Sequence, residues 1–353
     1  MAGKRTVREG LEELELETLS SFATLAINSM GRKEPEEPDP TRTCFMRDRD
    51  RVIHSKAFRR LKHKTQVYIS PNNDHYRTRL THALEVSQIG RTIGRGLRLN
   101  CDLIEAIALA HDVGQPPFAH TGEEVLDNLL EDGFKHNENS VRVLNKIERR
   151  EDKAGLNLTW EVLDGVLHHS GFARNEEDGA HTLEGQVIRM SDKIAYVQHD
   201  IDDSIRAGIL TLDDLPGDVL DILGRTHRER IATLVNDVIE HTSSLMRAGD
   251  KAHVGLSPVI REAMDELRDF MFANVYKGEE CVQERSKVRY IIEFLFHYYQ
   301  EYPENLPAFY QELAEEDGLE QAITDYIAGM TDTYCVNLFK KITHPRSFIE
   351  LLD

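Results

Sequence analysis

The sequence predicts an all-α protein. Apolar residues recur at helical spacing along most of the chain, and nothing alternates with the two-residue period of a strand beyond what a short hairpin needs. Turn-forming segments such as GRKEPEEPDPTRT (31–43) and SPNND (70–74) separate the periodic stretches. There is no internal repeat and no low-complexity segment.

In chain order, residues 1–30 read as one or two helices, with Leu16, Leu19, Phe22 and Leu25 on one face. Residues 46–64 resume the pattern through Val52, Ile53, Phe58 and Leu61. Residues 79–98 carry Leu80, Leu84, Val86, Ile89, Ile93 and Leu97. Residues 102–111 form an apolar helix that ends at His111-Asp112 and is stopped by Gly114, Pro116 and Pro117. Residues 121–131 start another, with Thr121 as N-cap and Glu124 at capping-box spacing. Residues 133–147 pass from a turn into a helix, 158–171 are a helix closed by glycine, and 182–209 is the longest amphipathic stretch. Helical stretches follow at 218–249, 257–276, 288–302 and 319–342. The aromatic run ending Phe294–Tyr302 suits either a core or an oligomer interface. The one weak boundary is Leu215-Pro216-Gly217.

The chain of 353 residues is long enough for one large domain or two smaller ones, and 40% hydrophobic with 30% charged residues is ordinary soluble composition. No apolar run approaches the roughly 18 residues of a membrane span, and the N-terminus has no apolar signal core, so a cytoplasmic protein is expected. Cys44, Cys101, Cys281 and Cys335 lie far apart without a CxxC pair, which argues against a disulfide framework or a thiolate zinc site. The net charge of −19 repels long anionic polymers and makes nucleic acid an unfavourable main partner. Against it stands a basic island: Arg42, Arg47, Arg49, Arg51, Lys56, Arg59, Arg60, Lys62 and Lys64, opposed only by Asp48 and Asp50. Such an island suits a compact anion such as a phosphorylated small molecule, or serves to cap helices and pair with the acidic excess.

Histidine and carboxylate together suit a divalent metal. Adjacent helical residues point about 100° apart, so His111 and Asp112 reach one ion only beyond the helix end. If 79–98 and 102–111 form an antiparallel hairpin, His82 lies beside that end. Asp192, Tyr196, His199, Asp200 and Asp203 share one face of 182–209, apart from the apolar face of Ile194, Val197, Ile201 and Ile205. Asp192 is a fourth ligand candidate there. His120 and Glu123, at i and i+3, are suited to moving protons near neutral pH, and His136 is a further polar candidate. Taken singly, each has a plainer reading as a satisfied buried, capping or solvated residue.

In sequence order the segments RDRDRVIHSKAFRRLKHKTQVY (47–68), RLTHALEVS (79–87), HDVGQPPFAHTGE (111–123), FKHNENSVRVL (134–144), TLEGQVIRMSDKIAYVQHDIDD (182–203) and DYIAGMTD (325–332) closely resemble the HD-domain deoxynucleoside triphosphate triphosphohydrolases, the dGTPase family with its bacterial dGTPase-like members. The resemblance spans about residues 40–340. It implies an HD-domain helical fold with additional C-terminal helices, and a single divalent metal (Mn, Fe, Co, Ni, Zn or Mg, with Mg also possible on the nucleotide) held by His82, His111, Asp112 and Asp192. It implies catalytic roles for His120 and Glu123, with His136 assisting the leaving group or phosphate. It places Gln66 and Asp200 near the deoxyribose 3′-hydroxyl, Arg79 and Lys193 at the phosphates, and Tyr196 against the sugar. The expected organisation is an N-terminal arm and loop (1–45), a metal-hydrolase core (46–212) and a C-terminal helical region packed on it (213–353). The expected partners are a dNTP substrate and further copies of the chain, as a tetramer or hexamer.

Two positions depart from the family pattern. Gln115 stands where many HD hydrolases carry a second histidine, which favours a mononuclear site because glutamine cannot titrate. Asn139 stands where many relatives have glutamine. The alternative functions are an HD phosphohydrolase acting on another nucleotide and a non-catalytic dNTP-binding regulator.

Overall fold

The computed structural model describes residues 5–66, 77–151, 153–170, 179–249, 252–275 and 279–345; the turn expected at 70–74 lies outside them. Among these residues the fold is all-α, with one short antiparallel hairpin, β1 (Arg149–Arg150) and β2 (Lys153–Ala154). The first helices are α1 (Val7–Thr18), α2 (Cys44–His54), α3 (Lys56–Arg60), α4 (Arg79–Leu97) and α5 (Cys101–Ala110). Next come α6 (Ala119–Leu129), α7 (His136–Arg142), α8 (Trp160–Leu167) and α9 (Leu183–Arg206). The remainder are α10 (Gly217–Leu223), α11 (His227–Ala248), α12 (Pro258–Asn274), α13 (Glu279–Glu301), α14 (Ala308–Asp317), α15 (Leu319–Ala328) and α16 (Asp332–Thr343). The chain divides into two compact units. One comprises Met1–Arg59, Leu80–Gly114 and Asn137–Gly278, the other Arg60–Arg79, Gln115–His136 and Glu279–Asp353.

In the first unit α5 is the central helix. Leu103, Ile104 and every residue from Ala106 to Ala110 are buried, against α2, α8 and α9. Burial of each large aliphatic side chain contributes about 1.5–3 kcal/mol. Missing side chains let the neighbours approach. A Cβ on Gly94 of α4 would stand 2.3 Å from Ile104, and one on Gly165 of α8 2.5 Å from Ile107. Asn100 caps the start of α5, accepting from the N–H groups of Asp102 and Leu103.

The second unit packs α13 against α6, α15 and α16, with α14 on α15. Its core joins Phe118, Leu126, Phe134, Ile292, Leu295, Phe296, Tyr299 and Ile323. The inner residues of the aromatic run therefore serve this core, whereas Tyr290 and Tyr302 are exposed.

Four sequence expectations need correction, the first being 218–249, which is two helices, α10 and α11, parted at Gly224–Thr226. Helix α1 ends at Thr18, where Leu19 turns extended, and Leu16 and Phe22 are exposed. A spacing of three drifts off the 3.6-residue period, so those four residues make no single buried face. Thr121 is not an N-cap. Helix α6 starts two residues earlier, after Phe118, which adopts the left-handed region at φ 63°. The stretch 319–342 is two helices, broken at Gly329–Thr331, with Thr331 capping α16 through the Tyr334 N–H.

The basic island is largely structural. Arg42 pairs with Asp39 and Asp50, Arg49 with Asp50, Asp102 and Glu105, and Arg51 donates to the carbonyls of Leu156 and Asn157. In the other unit, Arg60 donates to the Gly329 carbonyl, and buried Lys64 to those of Gln115 and Ala328. Glu36 gathers Arg47, Arg51, Arg150 and Asn157, tying the proline-rich loop to α2 and to the hairpin.

Burial pushes the Glu36 carboxyl up, but Arg51, Asn157 and Arg150 outweigh it and hold it at about 2, against an ordinary 4.5. A depressed carboxylate stabilises the fold above its unfolded pKa and loses that contribution as pH falls toward the folded one. Glu36→Gln is therefore expected to cost on the order of 1–3 kcal/mol at pH 7. In urea unfolding, its difference from the wild type should narrow steadily below pH 4.5; a difference independent of pH would contradict the ion-pair account.

Candidate functional site

The first unit brings His82, His111, Asp112 and Asp192 together. The close α4–α5 approach at Gly94 sets His82 beside the end of α5, with ring centroids of His82 and His111 5.6 Å apart. One donor atom from each of His82, His111 and Asp112 lies within 4.8 Å of the others, and all three residues are buried. Asp192, on α9, places Oδ1 2.9 Å from His82 Nε2 and 3.9 Å from His111 Nε2.

Local bonds set the tautomer. His111 Nδ1 donates to the Ala108 carbonyl at 2.7 Å, which leaves Nε2 as the lone-pair nitrogen. That Nε2 is buried and has no hydrogen-bond partner among the described residues; it stands 3.4 Å from Asp112 Oδ2. Two imidazole nitrogens and two carboxylates converging in this way can hold a divalent metal. The electrostatics agree. Burial alone lowers the His111 pKa, yet the Asp112 and Asp192 carboxylates push it up to about 9. The same negative surplus that would keep a proton on His111 favours a cation. Burial likewise pushes Asp192 up, and the His82 hydrogen bond outweighs it, holding the carboxyl well below its usual range.

Two further histidines carry no signal in the sequence. His169, anchored by Nδ1 to the Val166 carbonyl, meets His111 edge-on at 4.9 Å. Beyond His82 the row continues to His199 at 5.8 Å and from there to His227 at 6.3 Å. His169 and His227 fall on separate elements and form no periodic pattern with the ligand candidates. On α9, His199, Asp200 and Asp203 are buried and His199 Nε2 lies 3.1 Å from Glu85, so the polar face is not a solvated stripe. Tyr196 is half-buried on the same helix.

The end of α5 is clamped by Ser140, another residue without a motif to flag it. Its Oγ donates to the His111 carbonyl at 2.7 Å and accepts the Gly114 N–H at 2.9 Å. Asn139, at the position that departs from the family pattern, donates to the Gly114 carbonyl at 2.6 Å. Gly114 itself is sterically required, because a Cβ there would sit 2.2 Å from the Ser140 backbone nitrogen.

The second unit holds the acid–base candidates. Glu123 Oε1 accepts from the His136 backbone N–H at 2.9 Å and pairs with His136 Nδ1 at 2.7 Å. Its Oε2 faces His120 Nδ1 at 3.5 Å. Gln115 Nε2 donates to the same oxygen at 3.4 Å, so the residue that replaces a second histidine braces Glu123. Burial raises the Glu123 pKa, but His120 and His136 outweigh it and keep the group anionic, well below its usual range. The His120 side chain is 57% exposed, open to solvent or a ligand. Gly122 admits the Pro117 carbonyl, which a Cβ would meet at 2.0 Å. Gln66 and Arg79 are buried in this unit, and the Arg79 N–H donates to the Lys64 carbonyl at 3.1 Å.

Two family models match: the HD domain over residues 79–197 and the phosphohydrolase-associated domain over 254–341. A deoxyguanosinetriphosphate triphosphohydrolase-like protein of Clostridium tetani is 54% identical over 347 residues, 98% of this chain and 99% of that one. Proteins of the same description from Caldanaerobacter subterraneus and Desulfatibacillum aliphaticivorans are 52% and 43% identical, over 98% of this chain and 98% and 100% of theirs. The chain belongs to the HD-domain dGTPase-like family. The HD match encloses His82, His111, Asp112 and Asp192, and the associated domain begins within the first unit and continues into the second. Among the described residues, no helix of this family member is long and apolar enough to cross a membrane.

Gly114→Ala should cost about 1–3 kcal/mol in urea unfolding, because the overpacked atom is backbone and cannot swing aside. Wild-type stability in this variant would show that the Ser140 clamp is not tight.

Proposed function

We propose that this protein hydrolyses deoxynucleoside triphosphates, dGTP or several dNTPs, to the deoxynucleoside and intact triphosphate. Water adds to the α-phosphorus and the bond to the 5′-oxygen breaks. That oxygen leaves with a proton as the nucleoside hydroxyl. The observation that carries the reading is the cluster of buried His82, His111 and Asp112 with half-buried Asp192, its His111 Nε2 without a hydrogen-bond partner among the described residues, in a chain matching proteins named for dGTP triphosphohydrolysis over nearly their whole length.

His82, His111, Asp112 and Asp192 would hold one divalent ion: manganese, iron, cobalt, nickel, zinc or magnesium. A bound ion supplies Lewis acidity at the α-phosphate and lowers the pKa of water. His120 is the proton carrier, since its imidazole is accessible and faces the Glu123 carboxylate. Glu123, held as an anion, orients that imidazole and steadies its charged form, while His136 and Gln115 fix the carboxylate. Following the family resemblance, Arg79 and Lys193 hold phosphate oxygens, Gln66 and Asp200 the 3′-hydroxyl, and Tyr196 packs on the sugar, where its ring disfavours a 2′-hydroxyl. The active form is taken to be a tetramer or hexamer of this chain in the cytoplasm.

A panel of purified dNTPs and NTPs with a divalent metal, followed by product identification, tests the reading. Triphosphate and deoxynucleoside are expected, and release of phosphate or pyrophosphate would overturn it. His111→Ala should lose bound metal by elemental analysis and more than about a hundredfold in turnover, since even the partners of metal ligands are worth 10–100-fold. Glu123→Gln should keep the metal and lose roughly 10²–10⁴-fold in turnover; full activity would remove the proton-transfer assignment.

A further inference from the structure

Helix α13 keeps one side in the core of the second unit and turns another to solvent. Val288, Ile292, Leu295 and Tyr299 are buried. On the other side Lys287, Phe294 and Glu301 fall at intervals of seven, with Tyr290 and Tyr298 four residues either side of Phe294. Spacings of four and seven share one helical face. Lys287, Tyr290 and Glu301 are exposed, whereas Phe294 and Tyr298 are half-buried. The rings are already ordered. Phe339 of α16 meets Tyr290 edge-on at 5.8 Å and Phe294 at 5.1 Å, and Phe294 stacks on Tyr298 at 6.2 Å. The face ends in opposite charges. Lys287 has only an exposed pair with Glu284, at 2.6 Å, and Glu301 accepts from the Tyr302 hydroxyl at 2.9 Å. An exposed pair of that kind is weak and easily exchanged for another.

We propose that this face binds a second copy of the same chain, the two α13 helices running antiparallel about a two-fold axis at Phe294. The pattern is its own complement. Lys287 lies seven residues before Phe294 and Glu301 seven after, and the two tyrosines lie four before and four after. Reversing a second copy therefore sets each Lys287 against the partner's Glu301 and each Tyr290 against the partner's Tyr298, with Phe294 meeting its own counterpart. On one flank, Glu293 comes beside the partner's His297. A two-fold contact requires such self-complementarity, which a foreign partner does not. An aromatic centre with a charged rim is the composition of protein interfaces, and rings held in place beforehand lose little freedom on binding. Two chains of net charge −19 repel at a distance, so the matched ends also fix where they meet. The inference goes beyond the proposed activity and holds for any substrate. Such an axis is also an element of every dihedral tetramer or hexamer.

The test is analytical ultracentrifugation of the full chain over a dilution series, with circular dichroism to confirm that each variant is folded. Wild type should give a mass that is an even multiple of one chain. Lys287→Glu sets acid against acid at both ends of the contact and should weaken it at least fivefold, halving the mass at low concentration. Lys287→Glu/Glu301→Lys restores opposite charges and should return the wild-type assembly. Both positions are exposed, so folding is not at stake. If the assembly is too tight to dilute apart, Phe294→Cys decides, since a short bismaleimide should join its chains in pairs at least tenfold faster than it joins wild type. A monomeric wild type, unchanged dissociation in Lys287→Glu, a double reversal that stays dissociated, or no added cross-linking at position 294 overturns the assignment. None of these readouts depends on dNTP turnover, so failure of either reading leaves the other standing.

Discussion

Burial of α5 along most of its circumference is the constraint on which the first unit depends. A helix with Leu103, Ile104 and Ala106–Ala110 all inside cannot rotate or slide without exposing apolar surface or opening voids. Its last turn therefore delivers His111 and Asp112 to one fixed place. Glycines at 94 and 165 let α4 and α8 close on it, and the Ser140 hydroxyl fixes the backbone just beyond it. The geometry of the candidate metal site is thus a consequence of packing, with the hydrogen bond from His111 to the Ala108 carbonyl choosing which nitrogen faces inward.

Buried carboxylates organise the N-terminal segment. Glu184 accepts from Thr24 and Asn100, Glu161 from Ser29 and Met30, and Asp48 from Arg32 and Thr159. An unpaired buried carboxylate is costly, so each also dictates which backbone donors must come to it. Burial raises the pKa of Glu184 and Asp48, and these same hydrogen bonds oppose that rise. The charge pattern is consequently divided by role. Arginines of residues 42–51 hold the scaffold, while Arg189 and Lys193 of α9 and Arg261 and Arg268 of α12 face a cavity.

In the second unit, packing likewise positions the acid–base candidates. Consecutive left-handed residues, Phe118 and Ala119, open α6, and such a conformation persists only where surroundings impose it. Here the Asp332 carboxylate takes the Phe118 N–H, and the Pro117 carbonyl occupies the space that Gly122 leaves. The turn sets the start of α6, so that His120 and Glu123 face each other across one turn while His136 and Gln115 brace the carboxylate.

The sequence by itself determined the all-α class, the approximate helices and the four ligand candidates, because helical periodicity and ligand chemistry are local properties of residue type. His82, His111, Asp112 and Asp192 could be named together since the family pattern orders them along the chain and the α4–α5 hairpin needs only a short connection. What only the tertiary structure decided depends on residues distant in sequence. His169 and Ser140 reach the end of α5 from other elements, Gln115 turns toward Glu123, and the basic island is consumed by acids and carbonyls up to 269 residues away. A side chain's partner is set by how helices pack, and no spacing rule along the chain encodes that contact.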